Sequence, residues 1–155
     1  MRMVLCAVVL QSVAAQAADL SDVQSALVGS WTGTLEYRDY SEPATSTKRV
    51  KLPTWLTIEA SGSDLRFKYI YDDGPSKTVT ETAAVHFEAS DVAQLREGRG
   101  VVTITVAGKD NDKPAQIRTT YRIGRNIFEV LEETAPEGQS FAFRHAYTFV
   151  RATSP

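Results

Sequence analysis

The sequence predicts an all-β fold, an eight-stranded antiparallel up-and-down barrel that one short helix precedes. From Gly29 onward, apolar and polar residues alternate with a period of two, which is typical of half-buried strands. Turn-forming Gly, Pro, Asp and Asn residues interrupt this alternation at hairpin spacing. No connection is long enough to hold the helical crossover that parallel strands need. Since closure would also remove both exposed edges, we expect a closed barrel rather than a sandwich.

The first 17 residues have the pattern of a secretory signal peptide. Arg2 supplies the positive charge, a short apolar run follows, and Ala15-Gln16-Ala17 has the small-x-small pattern of a cleavage site. The apolar run is shorter than the roughly 20 residues of a membrane-spanning helix. We therefore expect a signal peptide over 1–17, a single domain over 18–155, and a periplasmic or secreted protein.

Composition narrows the classes of function. A chain of 155 residues with 43% hydrophobic content suits one globular domain. A formal charge of −2, without a cluster of basic residues, gives no positively charged surface that would bind nucleic acid. Cys6 is the only cysteine and lies in the predicted leader, so the mature chain would have neither disulfides nor cysteine-bound zinc. Phosphate-cradling and dinucleotide-binding glycine motifs are absent as well, and no cofactor is predicted.

The predicted elements follow from local patterns. A helix is expected over 20–28, with Ser21 as its cap. Pro53 requires its strand to be bent, bulged or unpaired at that point. Residues 91–100 form a polar connection with room for one helical turn. The eight strands are predicted over 31–38, 50–59, 65–71, 79–88, 101–106, 117–123, 127–133 and 141–151.

Gly29-Ser30-Trp31 opens the first strand directly after the predicted helix, and Arg151 closes the last strand. In an up-and-down barrel these two strands pair antiparallel, which brings Trp31 and Arg151 to the same end. A cation stacked on a tryptophan contributes about 0.5–2 kcal/mol. This arrangement resembles the calycin barrels, which include the lipocalins and the fatty-acid-binding proteins. The resemblance implies a barrel closed at one end by Trp31 and Arg151, with a small molecule bound inside.

The chain departs from that pattern in its ligand-gating parts. It stops four residues after Arg151, before a long C-terminal helix of the lipocalin kind. The segment 40–47 is too short for the helical lid of fatty-acid-binding proteins. The resemblance therefore supports the fold better than the function.

Alternate residues of a strand point to opposite faces of the sheet, and we call the face on which a residue lies its parity. This strand parity selects the candidate ligand-binding residues. The aromatic face of the last strand is the better interior, and His145 shares its parity with Phe143 and Tyr147. His145 is interpreted as a hydrogen-bonded core histidine rather than a haem or metal ligand, because a zinc site needs more ligands than are available. The predicted ligand-binding residues are Tyr37, Tyr40, Phe67, Tyr69, Tyr121, Phe143, His145 and Tyr147.

The charged candidates are weaker. Glu81 and Glu129 would form a pair of inner carboxylates if both pointed into the barrel. Asp110-Asn111-Asp112 resembles a calcium loop, but Tyr121 occupies the position where an EF-hand has glutamate, so a hairpin turn is predicted. No serine-nucleophile motif is present.

Three functions are compatible with these patterns. The leading hypothesis is an exported, lipocalin-like protein that binds a small apolar molecule, since an eight-stranded barrel can hold one small ligand. The second is a filled barrel that acts as an envelope protein–protein interaction module, with Trp55 as its anchor if the strand stays regular at Pro53. An enzyme built on His145 with Glu129 or Tyr37 is the least favoured of the three.

Overall fold

The computed structural model describes residues 19–42, 46–75 and 77–152, and the predicted signal peptide lies outside them. A short helix followed by eight antiparallel strands confirms the predicted class. The elements are α1 (Leu20–Leu27), β1 (Gly29–Arg38), β2 (Arg49–Ser61), β3 (Asp64–Asp72), β4 (Thr78–His86), α2 (Ala89–Val92), β5 (Gly100–Asp110), β6 (Lys113–Ile123), β7 (Ile127–Pro136) and β8 (Ala142–Arg151).

The strands form one sheet in the order β4-β3-β2-β1-β8-β7-β6-β5, which is the predicted up-and-down order. The first and last strands pair antiparallel, with Trp31 opposite Arg151. Within the described residues, no ladder joins β4 to β5, so the sheet curls into a half-barrel that stays open along one side. The expectation of full hydrogen-bonded closure is wrong here. In the described part of the chain, the other consecutive strands are joined by loops without secondary structure and pair directly, whereas β4 and β5 are connected through α2 and the Arg96–Arg99 bridge.

The core lies on the concave face of the sheet, which we call the inner face. Its centre is aromatic, and Trp31, Phe67, Phe128 and Phe149 are at most 1% exposed. The rings of Trp31 and Phe67 each lie 5.8 Å from that of Phe128, in tilted and edge-on geometries that aromatic pairs favour. The largest fully buried side chains therefore lie together near the start of β1.

Helix α1 covers that end of the half-barrel. Its buried residues Val23, Ala26 and Leu27 belong to the same core cluster as Trp31. The predicted cap at Ser21 is wrong: the helix begins two residues earlier than Ser21 would dictate, because Asp19 is the N-cap and forms a capping box with Asp22.

β2 runs straight through Pro53. Its register with β1 is continuous from Arg49 to Ile58, and its pairing with β3 begins only at Thr54. Pro53 lacks a backbone N–H, but it lies outside the part of β2 that pairs with β3, so no hydrogen bond to β3 is lost there. Because the alternation is unbroken, Trp55 points away from the core and is 46% exposed.

Candidate functional site

The two ends of the half-barrel are built differently. At the end covered by α1, which we call the closed end, the Arg151 guanidinium carbon lies 4.2 Å from the centre of the Trp31 ring. Arg151 Nη1 donates to the carbonyl of Val28 at 3.0 Å, and Trp31 Nε1 donates to the carbonyl of Leu27 at 2.9 Å. The Trp31–Arg151 pair therefore ties the first strand, the last strand and the end of α1 together.

The opposite end holds a cavity of about 470 Å³, which we call the open-end cavity. It lies on the inner face, beneath the β1–β2, β3–β4 and β5–β6 connections. Aliphatic, aromatic and ionisable side chains share its wall. The lining residues are Leu35, Tyr37, Tyr40, Leu52, Tyr71, Asp73, Val79, Glu81, Asp110, Asn111, Arg144, His145 and Tyr147.

A chain of three hydrogen-bonded groups crosses one side of the cavity. The Tyr71 hydroxyl donates to Glu81 Oε2 at 2.7 Å, and the Tyr71 and Tyr147 hydroxyl oxygens are 2.8 Å apart. Because Tyr71 has only one hydroxyl proton, Tyr147 must donate to Tyr71. Burial raises the pKa of Tyr147 to about 12 and the pKa of Tyr71 well above its ordinary value. Both hydroxyls are therefore neutral at physiological pH.

A second polar cluster lies on the other side of the cavity. Arg144 Nη1 donates to Glu132 Oε1 at 2.9 Å, and Arg144 Nε lies 4.0 Å from Asp110 Oδ1. Thr134 Oγ1 donates to the same Asp110 carboxylate at 3.1 Å. His145 Nε2 is 3.7 Å from Glu132 Oε2. Burial lowers the pKa of His145 more than the nearby Glu132 charge raises it, so the imidazole is neutral at pH 7.

A β-bulge in β8 decides which residues reach this cluster. Glu132 of β7 pairs with His145, but the next residue, Glu133, pairs with Phe143, so Arg144 is the extra residue. Arg144 therefore joins His145 on the inner face and lines the cavity. Phe143 moves to the outer face, where its ring lies 4.5 Å from the Arg49 guanidinium. The predicted inner position of Phe143 is wrong, because strand parity does not survive a bulge.

The other predicted ligand-binding residues fall into two groups, those that line the open-end cavity and those that lie deeper in the core. Tyr37, Tyr40, His145 and Tyr147 line the open-end cavity. Phe67 and Tyr69 are on the inner face as expected, but they are buried in the core, and Tyr121 packs on Phe87 with ring centres 5.3 Å apart. Alternation predicts the face of a strand on which a side chain lies and not its depth along the barrel.

Sequence reasoning missed several cavity residues. Tyr71 has the same parity as Tyr69, and this signal would have identified it. Asp110 has the composition of a turn residue, yet its side chain points inward to Thr134. Glu81 is on the inner face, whereas Glu129 is on the outer face with Arg122 Nη1 at 2.8 Å. The proposed Glu81–Glu129 pair, and a His145–Glu129 pair, are therefore ruled out by their opposite faces.

Other features of the described part of the chain carry less chemistry. A second cavity of about 500 Å³ lies near the start of β6 and the end of β7, and Glu137 is the one ionisable residue among its described lining residues. Residues 19–42, 46–75 and 77–152 contain no group of three His, Cys, Asp or Glu side chains placed to hold a metal ion. None of the helices in these ranges is both long and apolar enough to cross a membrane. The open-end cavity is therefore the best candidate site.

Comparison with known proteins supports the fold. No family model and no curated protein matches the sequence. Among solved structures, the chain is similar to the crystal structure of Rv2717c from M. tuberculosis, with a TM-score of 0.56 and 14% sequence identity. The match covers 89% of this chain and 100% of that one. At this identity the similarity supports a barrel-like fold and leaves membership of the calycins unassigned.

Proposed function

We propose that the protein is an exported binding protein that holds a small, largely apolar molecule in the open-end cavity. The observation that carries this proposal is the cavity itself. Its volume of about 470 Å³ lies within the range of about 300–1,000 Å³ that is typical of small-molecule sites. A completely filled barrel would leave no such space.

The lining suits a molecule with an apolar body and at least one polar group. Leu35, Leu52 and Val79 provide aliphatic surface against which the body of a ligand would be removed from water. The hydroxyl of Tyr147 and the carboxylate of Glu81 provide fixed hydrogen-bonding groups beside that surface. A few convergent polar groups in an apolar pocket orient a ligand and give specificity.

Export rests on the sequence of residues 1–17. We expect the chain recovered from an expressing bacterium in the periplasmic or culture fraction to begin at Ala18. N-terminal sequencing of that fraction tests this part of the proposal. Recovery of an uncleaved chain from the cytoplasm would contradict it.

Binding is tested by native mass spectrometry and by a fluorescence titration with N-phenylnaphthylamine, a neutral apolar fluorophore. We expect a bound mass that disappears on denaturation, or saturable uptake of the fluorophore. Val79→Trp should fill the cavity and lower the affinity at least about tenfold, since it removes the space that the ligand needs. Val150→Trp is the matched control, because Val150 is 50% exposed on the outer face. Equal loss of binding in both variants would contradict the proposed site.

One observation favours the interaction module as a second candidate. Trp55 is 46% exposed on β2, near the centre of the sheet, and exposed tryptophans are frequent anchors of protein interfaces. The two functions separate experimentally, because Trp55→Ser should leave fluorophore binding unchanged. If neither bound mass nor uptake is found, the interaction module becomes the better proposal.

A further inference from the structure

The open-end cavity carries more negative than positive charge. Among the described residues, four carboxylates line it or contact its lining, against three cations. Arg144 lies between Glu132 and Asp110, and Lys77 contacts Asp73. The third cation, Arg38, lies over the Tyr40 ring with its guanidinium carbon 4.6 Å from the ring centre. Clefts lined mainly by charge of one sign attract ligands of the other sign. The seven groups are Asp73, Glu81, Asp110, Glu132, Lys77, Arg38 and Arg144.

Glu81 is the carboxylate whose charge is not balanced. It accepts a hydrogen bond from the neutral Tyr71 hydroxyl at 2.7 Å. Within residues 19–42, 46–75 and 77–152, no Lys, Arg or His nitrogen lies within 4.0 Å of it. A hydroxyl orients a carboxylate but leaves its charge in place. Glu81 therefore presents a negative charge to the cavity from an exposed position on the edge strand β4.

Tyrosine side chains share the cavity wall with this carboxylate. Tyr71 donates to it and Tyr147 donates to Tyr71, while Tyr37 lines the same cavity. The Tyr40 ring is already covered by the Arg38 guanidinium. The faces of aromatic rings attract cations, at exposed sites as well as buried ones. Tyrosine rings together with one unbalanced carboxylate are the groups that recognise an organic cation.

The same geometry disfavours an anionic ligand. Among the described lining residues Arg144 is the one cation, and Glu132 holds it at 2.9 Å while Asp110 lies at 4.0 Å. An incoming carboxylate or phosphate would have to displace one of these two partners and would meet the charge of the other. Anion binding therefore begins with a loss of existing ion pairing.

We propose that the ligand of the open-end cavity is an organic cation, a protonated amine or quaternary ammonium on an apolar body, with its charged group beside Glu81. This inference rests on the proposed binding function and adds the chemical class of the ligand. The apolar body would lie against Leu35, Leu52 and Val79, and the ammonium among the tyrosine rings.

The test uses three probes that share a phenyl group and differ in charge: phenethylamine, phenethyl alcohol and phenylpropionate. Isothermal titration at pH 7 on protein expressed from the full sequence should give an affinity about tenfold higher for the amine than for the alcohol. Phenylpropionate should bind more weakly than either. Raising the ionic strength should reduce the preference for the amine and leave the alcohol nearly unchanged.

Two variants locate the charge that causes the preference. Glu81→Gln retains a carbonyl oxygen that can accept the Tyr71 hydrogen bond, and it should abolish the preference for the amine over the alcohol. Glu129→Gln is the matched control, because Glu129 lies on the outer face, and it should retain the full preference. Circular dichroism checks that each variant is folded. The comparison of the three probes on the unmodified protein tests the inference even if a variant fails to fold.

The outcomes separate the two proposals. If the alcohol or phenylpropionate binds as well as the amine, or if the preference survives Glu81→Gln, the organic-cation inference is overturned and the binding function stands. If the three probes and the neutral fluorophore all fail to bind, the binding function falls together with the inference.

Discussion

The closed end and the open end of the half-barrel use aromatic residues for different purposes. At the closed end, Trp31 and Phe128 are fully buried, and the Trp31 indole N–H donates to the carbonyl of Leu27 in α1. At the open end, Tyr37 and Tyr40 line a cavity, and ionisable groups stand among the rings. The same alternating strands thus build a core at one end and a cavity lined by aromatic and ionisable side chains at the other. The division follows from where the helix covers the inner face.

The largest expected difference between the ends is in stability. Trp31→Ala should lower the free energy of unfolding by about 3–5 kcal/mol, because it removes a fully buried indole and leaves a cavity. Tyr40→Ala, at a side chain that is 48% exposed, should change it by less than about 0.5 kcal/mol. Urea denaturation followed by circular dichroism measures both. Similar losses in the two variants would mean that the open end is as important to folding as the closed end.

A smaller effect on the free energy of unfolding is expected at the Trp31–Arg151 pair. Arg151→Gln should lower the free energy of unfolding by about 1–3 kcal/mol, because it removes the contact with the Trp31 ring and the charged donors to the last carbonyls of α1. Arg125→Gln, at an exposed turn residue, is the control and should stay within about 0.5 kcal/mol of the parent. A loss at Arg151 no larger than that at Arg125 would show that the pair does not stabilise this end.

The two histidines give the smallest and most specific comparison. Burial at the open end lowers the pKa of His145 below its ordinary value of 6.5, whereas the hydrogen bond to Asp64 raises the pKa of His86 on the exposed closed-end rim. As the pH falls, His145 is protonated in the unfolded chain before it is protonated in the folded chain. Its contribution to stability is therefore present above pH 6.5 and is lost as the pH falls. His86 is protonated first in the folded chain, so its contribution to stability is present below pH 6.5 and is lost as the pH rises.

Urea denaturation between about pH 5.5 and pH 8, above the range in which ordinary carboxylates titrate, resolves these opposite signs. His145→Gln should reduce the loss of stability on acidification, and His86→Gln should increase it. A pH profile unchanged by His145→Gln would indicate that this imidazole is not desolvated in the folded state.

The site could be predicted from the sequence only in part. Parity identified the inner-facing Tyr37 and Tyr147, because the alternation is regular between these residues and the closed end, where Trp31 pairs with Arg151. Parity failed at Phe143 and Arg144, where one extra residue in β8 exchanges the two faces. It also gave no information about depth, so Phe67 and Tyr71 looked equivalent although only Tyr71 reaches the cavity.

By itself, the sequence determined the class and order of the strands and the meeting of Trp31 with Arg151. These features depend on local alternation, on turn residues and on the antiparallel pairing of the first and last strands. The tertiary structure alone decided the opening between β4 and β5, the bulge at Arg144 and the charge balance around Glu81. Each of these depends on which strands and side chains meet across long stretches of chain, and such contacts leave no signature in the local pattern.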